Sequence, residues 1–264
     1  MPRPIVALLT DFGTKDHYAG TLKGVVLSVC PDATLVDIGH DIPAHDVIAG
    51  ALELAACYRY FPNGTIFLVV VDPGVGSSRR GIAVDVGDYR FVAPDNGVLS
   101  AVFLESPPKR VVELTERKYS LPTISRTFEG RDRFAPAAGF LAKGVALVWL
   151  GKTIQDFHTI DLPRPSVSGT ELSGEVVRVD RFGNLITNID RRSFEQLAEG
   201  RAIAVVVGGR EVPRIVATYA DAPPGELCAL FGSTDHLEVA INAGDAARTL
   251  GLDRGAAAKV RLVQ

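Results

Sequence analysis

Three short stretches of this chain carry an aspartate at or near the end of an apolar run: Leu9-Thr10-Asp11-Phe12-Gly13, Val36-Asp37 and Val71-Asp72-Pro73-Gly74. Each run reads as a buried strand, and ligands of open parallel sheets bind beyond the carboxyl ends of the strands. One such carboxylate could merely cap a turn. Three converging at one sheet edge point to a site. The third opens the loop Asp72-Pro-Gly-Val-Gly-Ser-Ser-Arg79-Arg80, where a tight Gly-Pro turn brings a carboxylate and a guanidinium close together. A structural brace and a catalytic pair both fit that spacing. Nucleotide-phosphate loops do not. No Lys-Ser or Lys-Thr follows the glycines, and the third glycine of a dinucleotide fingerprint is replaced by Arg79.

His40-Asp-Ile-Pro-Ala-His45-Asp46 has the residue types for Zn, Mn or Fe. However, Asp46 stands where a helix N-cap belongs, and no HExxH motif or second His/Asp cluster supports a metal. Covalent catalysis has no support either, because no GxSxG elbow and no motif-flanked cysteine is present. Thr127-Phe-Glu129-Gly-Arg131-Asp132-Arg133-Phe134 packs four charges ahead of a helix, where capping would suffice. Asp180-Arg-Phe182-Gly-Asn184-Leu-Ile-Thr-Asn188 sets an aromatic and amides around a Gly turn, which suits stacking on a base and reading its edge.

The elements that must position these residues change character along the chain. Apolar strands are expected at 5–9, 34–38, 65–71, 82–86, 90–93 and 111–114, with helices over 18–29, 47–60 and 134–143. Continuously apolar strands between helices predict a sheet covered on both faces, a Rossmann-like α/β domain over residues 1–159. A Pro/Ser/Gly-rich linker is expected at 160–170. Short alternating strands at 175–180, 185–189, 202–207, 215–219, 227–231 and 237–240 then predict a small β-barrel domain over 171–264.

Composition narrows the class. The chain has 264 residues, of which 47% are hydrophobic and 22% charged, a globular balance. Lys plus Arg number 28 against 31 Asp plus Glu, so no electrostatic footprint for nucleic acid or an anionic membrane is expected. No apolar run approaches the ~20 residues of a membrane span. Met1-Pro2-Arg3-Pro4 leads directly into a strand without a signal-peptide apolar region, and the 3 cysteines form no CxxC pair. A cytoplasmic location is the expectation.

Together the motifs resemble the S-adenosylmethionine hydroxide adenosyltransferase family, relatives of the fluorinating and chlorinating enzymes. The resemblance runs nearly end to end. It is carried by Leu9-Thr-Asp-Phe-Gly13, Asp41-Ile-Pro43, Val71-Asp-Pro-Gly-Val-Gly76, Ala93-Pro-Asp-Asn-Gly97, Thr127-Phe128, Gly130-Arg-Asp132, Arg181-Phe-Gly-Asn-Leu-Ile-Thr-Asn188 and Asn242-Ala243.

The resemblance implies an α/β domain joined to a β-barrel, in a homotrimer whose site lies between neighbouring subunits. It implies hydrolysis of S-adenosylmethionine to adenosine and methionine, with no cofactor and no metal. By position, Asp11, next to Phe12, should hold the ribose hydroxyls. Phe182, Asn184 and backbone near Ala243 should meet the adenine, and Asp180 and Ser233 the methionine end. The catalytic set should comprise Asp72, Arg79 and a third residue, a His in the family pattern, at the position of Glu129. Two alternatives follow from that departure and from the halogenating relatives. One is a binder of S-adenosylmethionine or adenosine with little turnover. The other is a halide-dependent transferase, which the retained Asp72, Gly74 and Arg79 disfavour.

Overall fold

The computed structural model describes residues 3–263, so Met1, Pro2 and Gln264 of the readings above lie outside it. The chain divides into two compact units, the first ending at Leu162 and the second beginning at Pro163.

The first unit runs β1 (Ile5–Thr10), α1 (Tyr18–Val29), β2 (Thr34–Gly39), α2 (Val47–Cys57), β3 (Ile66–Val70), β4 (Gly81–Val86), β5 (Tyr89–Pro94), α3 (Ser100–Glu105), β6 (Arg110–Leu114), α4 (Ala135–Ala142) and β7 (Gly151–Ile154). Its seven-stranded sheet has the order β2-β1-β3-β5-β4-β6-β7. The first four strands in that order are parallel, whereas β4, β6 and β7 pair antiparallel. The sheet is therefore mixed, not parallel throughout. A turn at Gly87 and Asp88 joins β4 to β5, and so short a connection can only reverse the chain.

Alternate residues of each strand enter separate cores. Val6, Leu8 and Val70 face Leu22 and Val26 of α1 with Ala138 and Leu141 of α4. Ala7, Leu9, Val69 and Val71 face Leu54 of α2 and Val102 of α3. Both faces are thus covered, which is why the strands read as unbroken apolar runs. Gly139 allows α4 to approach α1, since a Cβ there would lie 2.8 Å from that of Val29. This contact seats the turn that precedes α4.

The second unit comprises β8 (Ser166–Ser168), β9 (Glu171–Val179), β10 (Leu185–Asp190), α5 (Arg191–Ala198), β11 (Ile203–Val207), β12 (Arg210–Val212), β13 (Leu227–Phe231), β14 (His236–Ile241), α6 (Ala246–Leu250) and β15 (Ala257–Leu262). Its strands follow the order β12-β11-β15-β9-β10-β14-β13, with β8 on β9, and the end strands β12 and β13 approach each other. The result is a nearly closed barrel around Leu172, Val176, Leu185, Val205, Val239 and Val260. The strand expected at 215–219 does not form. Ile215 makes a single bridge to Ala229, and Tyr219 opens a short 3-10 turn with its hydroxyl given to Glu238. No helix among the described residues is long and apolar enough to cross a membrane.

Candidate active site

Asp11 and Asp72 leave the carboxyl ends of adjacent parallel strands, because Thr10 of β1 pairs with Val70 of β3. Asp37 does not join them. It lies inside β2 opposite Leu8, pairs with Lys23 Nζ at 2.6 Å and stands 3.1 Å from His40 Nε2. His40 also contacts the Thr10 hydroxyl through Nδ1 at 2.9 Å, so it links the β1 and β2 ends. Asp46 caps α2, accepting from the Ala49 N–H. These partners give the His40–Asp46 segment a structural account. Among the described residues, no three His, Cys, Asp or Glu side chains gather as a metal site would require.

The loop after β3 folds back on itself. Arg79 donates Nε–H to Asp72 Oδ1 at 2.8 Å, and its Nη2 donates to Asp72 Oδ2, a two-pronged grip. Nη1 donates to the Arg80 carbonyl at 3.2 Å, and the guanidinium carbon lies 5.0 Å from the centroid of the Phe134 ring. Every direction of this cation is therefore fixed. A planar guanidinium can be held this way, whereas a lysine could not.

Glu129 completes the cluster. Its Oε2 stands 3.0 Å from Arg79 Nη2 and 3.5 Å from Arg133 Nη1, yet accepts no hydrogen bond. The contact is ionic, with no N–H directed along it. The side chains of Asp72, Arg79 and Glu129 are only 5%, 9% and 10% exposed. Burial pushes the Asp72 carboxyl above its ordinary value against the pull of the Arg79 hydrogen bonds, and the nearby charge of Glu129 adds to the rise.

Two features bring Glu129 here. Residues 130–134 form a π-turn leading into α4, with the Ala135 N–H bonded to the Gly130 carbonyl. Such turns are often found at functional positions. The preceding segment is held by Asp132, which accepts the Ser125 N–H at 2.7 Å and pairs with Arg131. It meets the Arg79 loop where Arg126 Nη2 donates to the Gly76 carbonyl at 3.0 Å. Gly76 has φ +77°, and a Cβ there would lie 2.2 Å from the Arg126 carbonyl oxygen. Gly76→Ala is accordingly expected to lower stability by about 1–3 kcal/mol and to reduce activity by displacing the loop. Thermal unfolding beside a rate measurement checks this, and an unchanged midpoint would contradict it.

Asp11 accepts the His45 N–H at 2.8 Å. Phe12 lies in an aromatic trio, with ring centroids 5.8 Å from Phe128 and 5.7 Å from Tyr18. Arg79 also lines an open cleft of about 690 Å³ with Ser78, Arg80, Asn96 and His158.

In the second unit, Asp180 organises the β9–β10 turn. Its carboxylate accepts the N–H groups of Phe182 and Asn184 and the Asn184 side-chain amide, at 2.8–2.9 Å. Asn184 is thereby buried and fixed, while Phe182 is 73% exposed on the tip of the turn. A ring so exposed, on a backbone so constrained, is a platform for a planar partner. Ser233 lies exposed in the β13–β14 turn, and Ala243 follows β14 at φ +57°.

Of the residues singled out in the sequence, the fold brings Asp72, Arg79 and Glu129 into one cluster and sets Asp180, Phe182 and Asn184 in one turn. Arg133 neighbours Glu129, Phe134 neighbours Arg79 and Tyr18 neighbours Phe12, and none of these three was singled out as a site residue. For Arg133 the signal was present, as a fourth charge in the run ahead of α4, but capping explained it equally well.

Residues 6–151 match the family described as SAM hydroxide adenosyltransferase N-terminal domain, and residues 174–259 the corresponding C-terminal domain. The chain is similar to the (R)-S-adenosyl-L-methionine hydrolase of Thermus thermophilus, 38% identical over 260 residues covering 96% of this chain and 97% of that protein. A fluorinase from an Actinoplanes species is 31% identical over 285 residues, covering 96% and 95%. Among solved structures, an uncharacterized conserved protein from Thermotoga maritima superposes with a TM-score of 0.92 at 36% identity, covering 97% of this chain and 99% of that one.

Proposed function

The chain belongs to the SAM hydroxide adenosyltransferase family, and from that premise we propose that it is an enzyme hydrolysing S-adenosylmethionine to adenosine and methionine. The observation that carries the reading is the buried cluster in which Asp72 grips Arg79 and Glu129 Oε2 stands 3.0 Å from the same guanidinium without a hydrogen bond of its own.

The chemistry asks for little beyond a nucleophile. The leaving group is a neutral thioether, so departure needs no acid. Water has a pKa near 15.7, so hydroxide is scarce at pH 7. In this reading a water oxygen attacks C5′ of the substrate. The C5′–S bond breaks with its electron pair on sulfur, and one water proton passes to the Glu129 carboxylate. Arg79, fixed by Asp72, offers hydrogen bonds and positive charge to the oxygen as negative charge builds on it. In a buried site such groups act without reorganising.

Asp11 binds the ribose hydroxyls with Phe12 at its side. Phe182, Asn184 and the backbone at Ala243 receive the adenine, and Asp180 and Ser233 the methionine end. The reaction uses no metal or cofactor, and the working unit is a homotrimer in the cytoplasm whose site is shared between neighbouring chains. The aromatic contribution is separable from the chemistry: Phe182→Ala is expected to weaken adenosine binding by about tenfold while kcat stays within about threefold. Calorimetric titration alongside steady-state kinetics checks it, and unchanged affinity would remove Phe182 from the adenine site.

The functional test is product analysis of purified protein with S-adenosylmethionine, with and without chloride or fluoride. Equal adenosine and methionine independent of halide support hydrolysis. A halogenated nucleoside would favour the halide-dependent alternative, and intact bound substrate the binder.

A further inference from the structure

A buried carboxylate beside an anionic nucleophile is a liability, and the structure contains a group placed to answer it. Glu129 and Asp72 together bring two negative charges to Arg79. With Arg79 as their single counter-charge, the cluster would carry a net charge of −1 and would repel the oxygen that must gain negative charge. Arg133 supplies the missing cation, since its Nη1 lies 3.5 Å from Glu129 Oε2.

Arg133 is held there by the fold. Its Nη2 donates to the Leu114 carbonyl at the end of β6, at 2.6 Å, while its Nε is buried with no hydrogen-bond partner. Leaving that donor unpaired costs free energy, which an ionic contact of the same guanidinium offsets. That contact is Glu129, four residues earlier across the turn that leads into α4. The charged groups facing Glu129 are Asp72 and Arg79 from the β3–β4 loop and Arg133 from its own turn. From β3 and α1, methyl carbons of Val70 and Leu22 stand against Gly130, where a Cβ would lie 3.1 Å and 3.6 Å from them, and Arg131 and Asp132 are paired with each other.

We propose that Arg133 is a positioning residue for the hydrolytic reaction. It holds Glu129 in place and balances its charge, so that Arg79 remains an effective cation toward the nucleophile. The catalytic part of this proposal rests on the hydrolytic reading above; the effect on Glu129 does not. Arg133 itself touches no reacting atom.

The test is a double-mutant cycle in the full-length protein, with Arg133→Gln and Glu129→Gln made singly and together. Arg133→Gln keeps a donor for the Leu114 carbonyl, and Arg133→Lys serves as the conservative variant. Thermal unfolding accompanies each. Arg133→Gln is expected to lower kcat by about tenfold or more, to change KM by less than about threefold and to move the acid limb of kcat to higher pH. Arg133→Lys should recover most of the rate, and Arg133→Gln should cost little further in the Glu129→Gln background.

Equal losses with and without Glu129, or an acid limb that does not move, would overturn the proposal. A second readout is independent of turnover. The unfolding midpoints of the four proteins should be non-additive, with Arg133→Gln lowering the midpoint less in the Glu129→Gln background than alone. Additive shifts would overturn the proposal even in an active enzyme. Coupled shifts in a protein that forms no adenosine would uphold the Arg133–Glu129 link while refuting the hydrolytic reading.

Discussion

Replacing Arg79 with Ala is expected to lower kcat by about a hundredfold to a thousandfold while adenosine still binds. The guanidinium is the one group in contact with both buried carboxylates of the cluster, through two hydrogen bonds to Asp72 and the ionic contact with Glu129. Without it, Asp72 and Glu129 face each other with Arg133 as the nearest compensating charge, and nothing stabilises negative charge growing on the water oxygen. Arg79→Lys should restore only a small part of the rate. An ammonium cannot reproduce the two-pronged grip, the bond to the Arg80 carbonyl and the stacking over Phe134 at once. Single-turnover kinetics with a parallel adenosine titration gives the answer. An Arg79→Ala protein that hydrolyses at the parental rate would exclude the guanidinium from the chemistry.

The second large effect is expected at Glu129. Glu129→Gln keeps size and removes the proposed base, and should lower kcat by about a hundredfold or more. Activity in the parent should fall as pH drops, because Asp72 must be ionised to hold Arg79. The Asp72 carboxyl is raised by burial, with the charge of Glu129 adding to the rise. Its protonation should therefore set in above the ordinary carboxylate range, and the acid limb should lie there too.

The sign for stability runs opposite to that for activity. A carboxyl raised in the folded state contributes stability below its unfolded pKa, and that contribution is lost as pH rises through the folded value. Ionising Asp72 therefore costs the folded protein some stability. Glu129→His separates the two roles open to Glu129. Turnover that rises would mark the carboxylate as a poor substitute for the imidazole implied by resemblance; turnover that stays level or falls would mark it as the base this site is built around.

The parts of this molecule that could be read from residues alone are those where local pattern and tertiary role agree. The run ending at Val71 is apolar throughout because both faces of its strand are buried, so its burial between two layers was legible. The pairing of Asp72 with Arg79 was legible because both lie in one short loop. The direction of β4 was also written in the chain, in the two residues Gly87 and Asp88, but an apolar run is equally apolar in either orientation. The stretch at 215–219 carries a strand-like pattern, yet Tyr219 is drawn off by Glu238, a long-range partner that no local pattern announces. Helix α5 escaped notice because it is mostly polar, burying only Phe194 and Leu197. Arg133 illustrates the same limit at the site. Its charge was visible, but its approach to Glu129 depends on a π-turn whose shape comes from packing against β3 and α1.

The most direct test of the central claim, that this cluster delivers water to C5′, is a single incubation. Purified protein with S-adenosylmethionine in oxygen-18 water, free of halide, should yield methionine and adenosine carrying one heavy oxygen, with the label on the 5′-hydroxyl by fragment mass. Unlabelled adenosine, or substrate recovered intact from the protein, would contradict it.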